Sequence, residues 1–275
     1  MDIVNAFATL AHHDRLAVFR LLMRRYPQRV PAGEIARALD LRQNTCSQHL
    51  KALQAAGLIG QTRFGTSVKY GTNMDGSAAL MRSIFETCCQ MRPDLCLPAA
   101  FTQQERTLDM SDRPLNVLFI CTKNSARSIM AEAIMNAEGG GRFKAYSAGT
   151  NPTDHPHPKV IALLKSKGIP TDELTSKMMD DFAGDDAPPL DFVFTVCDHA
   201  ANEECPLWPG QPMSAHWGLV DPVKAEGTEA EKELAFQQTY GLLRNRITAF
   251  ASLPMTTLDR ISLQHELDEI GRHTA

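Results

Sequence analysis

Cys121 opens the segment Cys121-Thr122-Lys123-Asn124-Ser125-Ala126-Arg127-Ser128, a thiol separated by five residues from an arginine that a hydroxyl follows. An apolar run, residues 117–120, stands before it, and a helical pattern begins near Ser125. A loop between a strand and a helix can turn its amide N–H groups around an anion, and the helix N-terminus adds partial positive charge. Arg127 can hold two oxygens of a tetrahedral oxyanion at once. Thr122, Lys123, Asn124, Ser125, Ala126 and Arg127 are thus the expected oxyanion cradle, with Asn124 bracing the loop. The same positive field is expected to lower the pKa of Cys121 and keep it as thiolate, with the Ser128 hydroxyl bonded to the sulfur. A bare Cys-x5-Arg is a weak signal, but between an apolar strand and a helix, with Ser after Arg, it is a strong one.

The other cysteines are Cys46, Cys88, Cys89, Cys96, Cys197 and Cys205. Seven is an odd number, and the start MDIVNAFATLAHHDRLAVF has no secretory pattern. Reduced thiols in a cytoplasmic protein are therefore expected, not a disulfide framework. Cys46 is read as a packed small hydrophobe. The remaining six form two trios: Cys88, Cys89 and Cys96, then Cys121, Cys197 and Cys205. His155 and His157, set among prolines, are read as loop residues without metal.

The elements that must carry these groups follow from periodicity. Residues 3–22 give one helical run, 32–39 a second helix after Pro31, and 44–55 a third that Gly57 stops, with Asn44 or Gln43 near its N-cap. Residues 58–70 suggest two strands around Gly65, and 77–91 a further helix. From Leu115 strands alternate with helices: strands at 117–120, 143–147, 192–196 and 214–217, helices at 125–137, 159–167, 229–250 and 257–270. The expected class is α/β, a winged helix-turn-helix domain followed by a doubly wound parallel sheet. Domains are placed at 1–97 and 114–275, with a linker at 98–113. At 275 residues the chain is long enough for two domains, and no apolar run approaches the 18–20 residues of a membrane span.

Charge divides the same way. Residues 1–100 hold 12 Lys and Arg against 7 Asp and Glu, and the rest holds 16 against 25. A basic first domain suits a polyanion. On the third helix Gln43, Asn44, Ser47, Gln48 and His49 are expected to face base edges, while Lys51, Arg63 and Lys69 meet phosphates. The stretch 41–53, with Ala56-Gly57-Leu58-Ile59 after it, resembles the ArsR-type winged-helix repressors over about residues 5–90. That resemblance implies a homodimer, an operator of two half-sites, and release of DNA on binding a metalloid. The Cys-Val-Cys pair of many such repressors is absent, the matching region being Pro31-Ala32-Gly33-Glu34-Ile35. Cys88, Cys89 and Cys96 resemble the arsenite sensor of a subgroup, and three thiolates suit soft trivalent arsenic.

The Cys121 segment, with Tyr146-Ser147-Ala148-Gly149-Thr150 and residues 215–222, resembles the low-molecular-weight tyrosine phosphatases and the arsenate reductases of the same fold. The resemblance implies that Asp221, before Pro222, is the general acid. A reductase also needs two electrons, which thiol–disulfide exchange can supply. Carried over from that family, Cys121 attacks arsenate, Cys197 attacks Cys121 and releases arsenite, and Cys205 attacks Cys197. Thioredoxin or glutaredoxin with glutathione then reduces the last disulfide, and no tightly bound cofactor is expected. Lys123 stands where Gly is common. Lys177 stands where some reductases place an acidic residue on a potassium ion beside Asn124, Glu132 and Ser147, so its ammonium is expected to replace that ion. Three readings follow: an arsenate reductase fused to an arsenite-responsive repressor, a phosphatase on a DNA-binding module, or an oxyanion sensor without turnover.

Overall fold

In the computed structural model the described residues are 2–65, 67–84, 86, 113–184, 186–203, 208 and 212–272. Cys88, Cys89, Cys96 and Cys205 lie outside them, as does nearly all of the linker at 98–113. The chain divides into two units, Met1–Arg106 and Thr107–Ala275.

The first unit runs α1 (Ile3–Leu10), α2 (His13–Arg24), β1 (Val30–Pro31), α3 (Ala32–Ala38), α4 (Gln43–Ala55), β2 (Ile59–Phe64), β3 (Ser67–Thr72) and α5 (Met74–Ser83). Its sheet is antiparallel with order β1-β3-β2. The helical run expected over residues 3–22 is two helices. His12 is extended and its side chain caps α2, accepting from Asp14 N–H. Arg15 donates to the Thr9 and Ala8 carbonyls, which lets α1 end there. The helix expected from Ser77 begins at Met74, because Asn73 caps it and accepts from Gly76 N–H. Helix α4 starts at Gln43 after Arg42, which makes no side-chain cap bond. It ends at left-handed Gly57 (φ 74°), where Leu58 N–H reaches back to the Leu53 carbonyl. Val18, Leu21, Leu22, Ile35, Leu50, Leu53 and Leu58 are fully buried in its core. So is Cys46, whose thiol points at the Ala32 carbonyl, as expected of a packed hydrophobe.

The second unit runs β4 (Leu115–Cys121), α6 (Arg127–Glu138), β5 (Phe143–Gly149), α7 (Pro158–Ser166), β6 (Phe192–Thr195), α8 (Asp198–Asn202), β7 (Met213–His216), α9 (Glu229–Ala251) and α10 (Arg260–Arg272). Its four strands are all parallel, in the order β5-β4-β6-β7. Every residue of β4 is buried, as a strand covered on both faces requires. Phe119, Phe194, Trp217 and Phe250 form the centre of the core, with Trp217 stacked 3.9 Å from Phe194. Because the strands are parallel, the ends of β4 and β6 open on one edge, and the thiols of Cys121 and Cys197 sit there.

Candidate functional site

The loop after β4 is shaped by bonds that point outward. The carbonyls of Cys121, Thr122, Lys123 and Ser125 accept from the backbone N–H groups of Thr150, Asn151, Thr153 and His157 at 2.9–3.2 Å. The Asn124 carbonyl accepts from Ser176 Oγ at 2.8 Å. With five consecutive carbonyls held on the outside, the amides of the loop are free to turn inward, the arrangement that binds anions. Asn124 N–H already donates to Cys121 Sγ at 3.1 Å. α6 begins at Arg127 with no side-chain cap on its first amides, which leaves them to an anion.

Asn124 holds this shape from within. It is fully buried and left-handed, with φ 43°. Its side-chain Nδ2 donates to Ser128 Oγ (2.9 Å) and Ser147 Oγ (2.8 Å), and its side-chain Oδ1 accepts from Lys177 N–H (2.7 Å). Gly149 must be glycine here, since a Cβ would stand 2.7 Å from the Thr122 carbonyl oxygen. Glu132 accepts from Ser147 Oγ and pairs with Lys177 Nζ at 3.2 Å, while Lys177 also donates to the Thr175 carbonyl. Burial raises the Glu132 pKa, and Lys177 and Ser147 oppose that rise. The Lys177 side chain thus reaches Glu132, the neighbour the sequence led us to expect.

The side chains singled out in the sequence converge on this loop. Cys121 is buried, and Ser128 Oγ lies 2.9 Å from its sulfur. Arg127 donates to the Leu219 carbonyl at 2.8 Å and pairs with Asp221 at 3.0 Å. Asp221 also accepts from Val223 N–H, which fixes its carboxylate. Cys197, two residues past β6, places its sulfur 3.5 Å from Thr122 Oγ1. Thr122 and Ser125 are half-buried, Ala126 is buried, and Lys123 is exposed, so its cation points outward.

One expectation is overturned. The positive field was expected to depress the Cys121 pKa, but burial pushes the thiol up and the neighbouring Cys197 pushes it further. Ser128 and Arg127 pull it down without winning. Desolvation is the larger effect because the sulfur is sealed under the loop, and Asp221 already answers part of the Arg127 charge.

Sequence reasoning missed most of the outer frame, residues 151–157 with Ser176, because four of its five bonds to the loop are made by backbone N–H groups that carry no residue signature. Gly149 was the one available signal. His157, read as a loop residue, caps α7 and packs on Phe236. Burial lowers its pKa, Lys159 adds to that, and Asp221 opposes.

In the first unit, Gln43, Asn44, Gln48, Lys51 and Arg63 are exposed. Ser47 is half-buried and donates to the Gln43 carbonyl. Lys69 is half-buried, with its ammonium over the Phe64 ring. His49 is not outward-facing. It is buried, its ring 4.8 Å from that of His12 and its Nε2 3.4 Å from Asp14, so tertiary contacts have taken it from the reading surface.

The family model for low molecular weight phosphotyrosine protein phosphatase matches residues 116–264, and that for a helix-turn-helix domain matches residues 10–61. An arsenate reductase of Bacillus licheniformis is 38% identical over 135 residues, 49% of this chain and 94% of that protein. An arsenate reductase of Bacillus subtilis is 37% identical over 135 residues, with the same two shares. A solved arsenate reductase in the reduced state is 25% identical, with a TM-score of 0.41, over 50% of this chain and 97% of that one. Among the described residues no helix is long and apolar enough to cross a membrane.

Proposed function

The chain belongs to the low molecular weight phosphotyrosine protein phosphatase family, and from that premise we propose that it is an arsenate reductase joined to an arsenite-responsive repressor. The observation that supports reduction over hydrolysis is the second thiol. Cys197 stands at the strand end next to β4, its sulfur against Thr122 of the Cys121 loop. Hydrolysis of a phosphocysteine uses water and has no need of it.

In this reading Cys121 transfers its proton to the arriving oxyanion and attacks arsenic. The loop amides and Arg127 hold the three remaining oxygens, and Ser128 and Asn124 steady the sulfur and the loop. Asp221 protonates the departing oxygen, which leaves as water. Cys197 thiolate then attacks Cys121 Sγ. The S–As bond breaks with its electron pair passing to arsenic, so arsenate becomes arsenite while two thiols become a disulfide. Cys205 attacks Cys197 and frees Cys121. An external dithiol of the thioredoxin or glutaredoxin class reduces the Cys197–Cys205 bond.

The product is the signal for the first unit. Cys88, Cys89 and Cys96 bind arsenite through three thiolates, and a homodimer holding operator DNA through Gln43, Asn44, Ser47, Gln48, Lys51, Arg63 and Lys69 lets go. Both events take place in the cytoplasm. The test is Cys197→Ser. It abolishes multiple-turnover arsenate reduction and spares aryl phosphate hydrolysis. Arsenate turnover at the original rate in that variant removes Cys197 from the reaction.

A further inference from the structure

His12, Asp14 and His49 are left over from both roles, and they meet. Each offers one ligand atom, and the three atoms lie within 4.8 Å of one another. His12 and Asp14 come from the corner between α1 and α2, and His49 comes from the reading helix α4. His49 Nε2 is sealed from water yet makes no hydrogen bond. Asp14 Oδ2 stands 3.4 Å from it. In a tetrahedral site with bonds of about 2.0–2.1 Å, neighbouring ligand atoms are about 3.3–3.4 Å apart. The His49–Asp14 separation is thus one that a shared ion bridges without movement.

We propose that His12, Asp14 and His49 bind a borderline divalent cation of the Zn²⁺ or Co²⁺ kind, which gives the first unit a metal site free of sulfur. Two imidazoles and a carboxylate are the donor set such ions take, whereas trivalent arsenic selects thiolates. The site is therefore chemically distinct from the proposed arsenite site. A neutral imidazole has one acceptor nitrogen, and in His12 that is Nδ1, which accepts from Asp14 N–H at 3.2 Å. Ligation by His12 exchanges this capping bond for a metal–nitrogen bond. His12 is exposed and Asp14 half-exposed, so an ion has a path in, and a water can complete the fourth position. A bound ion ties α4 to the α1–α2 corner.

The experiment uses the full chain with Cys88, Cys89, Cys96 and Cys205 replaced by Ser, so that these four thiols do not compete, while Cys46, Cys121 and Cys197 are buried. Zn²⁺ is titrated calorimetrically, and X-ray absorption is recorded at one equivalent. One ion per chain with nitrogen and oxygen neighbours is expected, and His12→Gln and Asp14→Asn each weaken binding at least tenfold. Both residues sit at the surface of a helix start, and unchanged circular dichroism verifies the fold. No binding, sulfur neighbours, or affinity unchanged from the parent chain in both variants overturns the site. None of these outcomes bears on arsenate reduction.

Discussion

The two units hold their polar residues in opposite ways. In the second, Asn124 and Ser128 are fully buried and every polar atom of Asn124 has a partner. In the first, Gln43, Asn44, Gln48 and Lys51 stand in solvent along one helix. A reacting centre gains from exclusion of water, because buried dipoles act in a low dielectric and need no reorganisation. A surface that reads a partner must stay exposed until the partner arrives. His49 shows the boundary: drawn under the surface by His12 and Asp14, it leaves the reading face.

Substitutions sharpen that contrast when they affect one unit and spare the other. Cys121→Ser has the largest expected effect, a loss of arsenate reduction of roughly 10³-fold or more. Operator binding measured by gel shift stays unchanged. Asp221→Asn lowers turnover by roughly 10²-fold through loss of the general acid, read as kcat in steady-state arsenate reduction. Because burial raises the Cys121 thiol above its ordinary value of 9.0, its thiolate fraction grows with pH across the neutral range. Alkylation by iodoacetamide should therefore speed up by about tenfold per pH unit from 7 to 9. A rate that levels off below pH 8 breaks the argument for burial.

Asn124→Ala removes an amide with buried partners and is expected to cost about 2–3 kcal/mol in urea unfolding of the second unit. The transition of the first unit should not move. The smallest effect belongs to the reading face. Lys51→Ala reduces the salt slope of DNA binding by about 1, and affinity falls about equally for all sequences. A change in sequence preference instead would place Lys51 on a base.

Local patterns made most of this legible. The strand–loop–helix around Cys121 is encoded in a dozen adjacent residues, so Asn124, Arg127 and Ser128 could be placed before any tertiary contact was known. The parallel sheet followed from the alternation of elements, which also brought Cys121 and Cys197 to one edge. What stayed hidden depends on contacts distant in sequence. His49 is buried by groups more than thirty residues away, and helical periodicity alone cannot register that. The break between α1 and α2 is made by the side chains of His12 and Arg15, although the apolar period runs through it. The raised Cys121 pKa comes from complete desolvation, whereas the motif displays only the charges that oppose it.

The most direct measurement is the disulfide left after one turnover. Cys205→Ser protein, fully reduced and treated with one equivalent of arsenate, is digested and mapped by mass spectrometry while arsenite is counted. One arsenite per chain and a Cys121–Cys197 linkage are expected. One arsenite released with both of those sulfurs still free would contradict the proposed exchange.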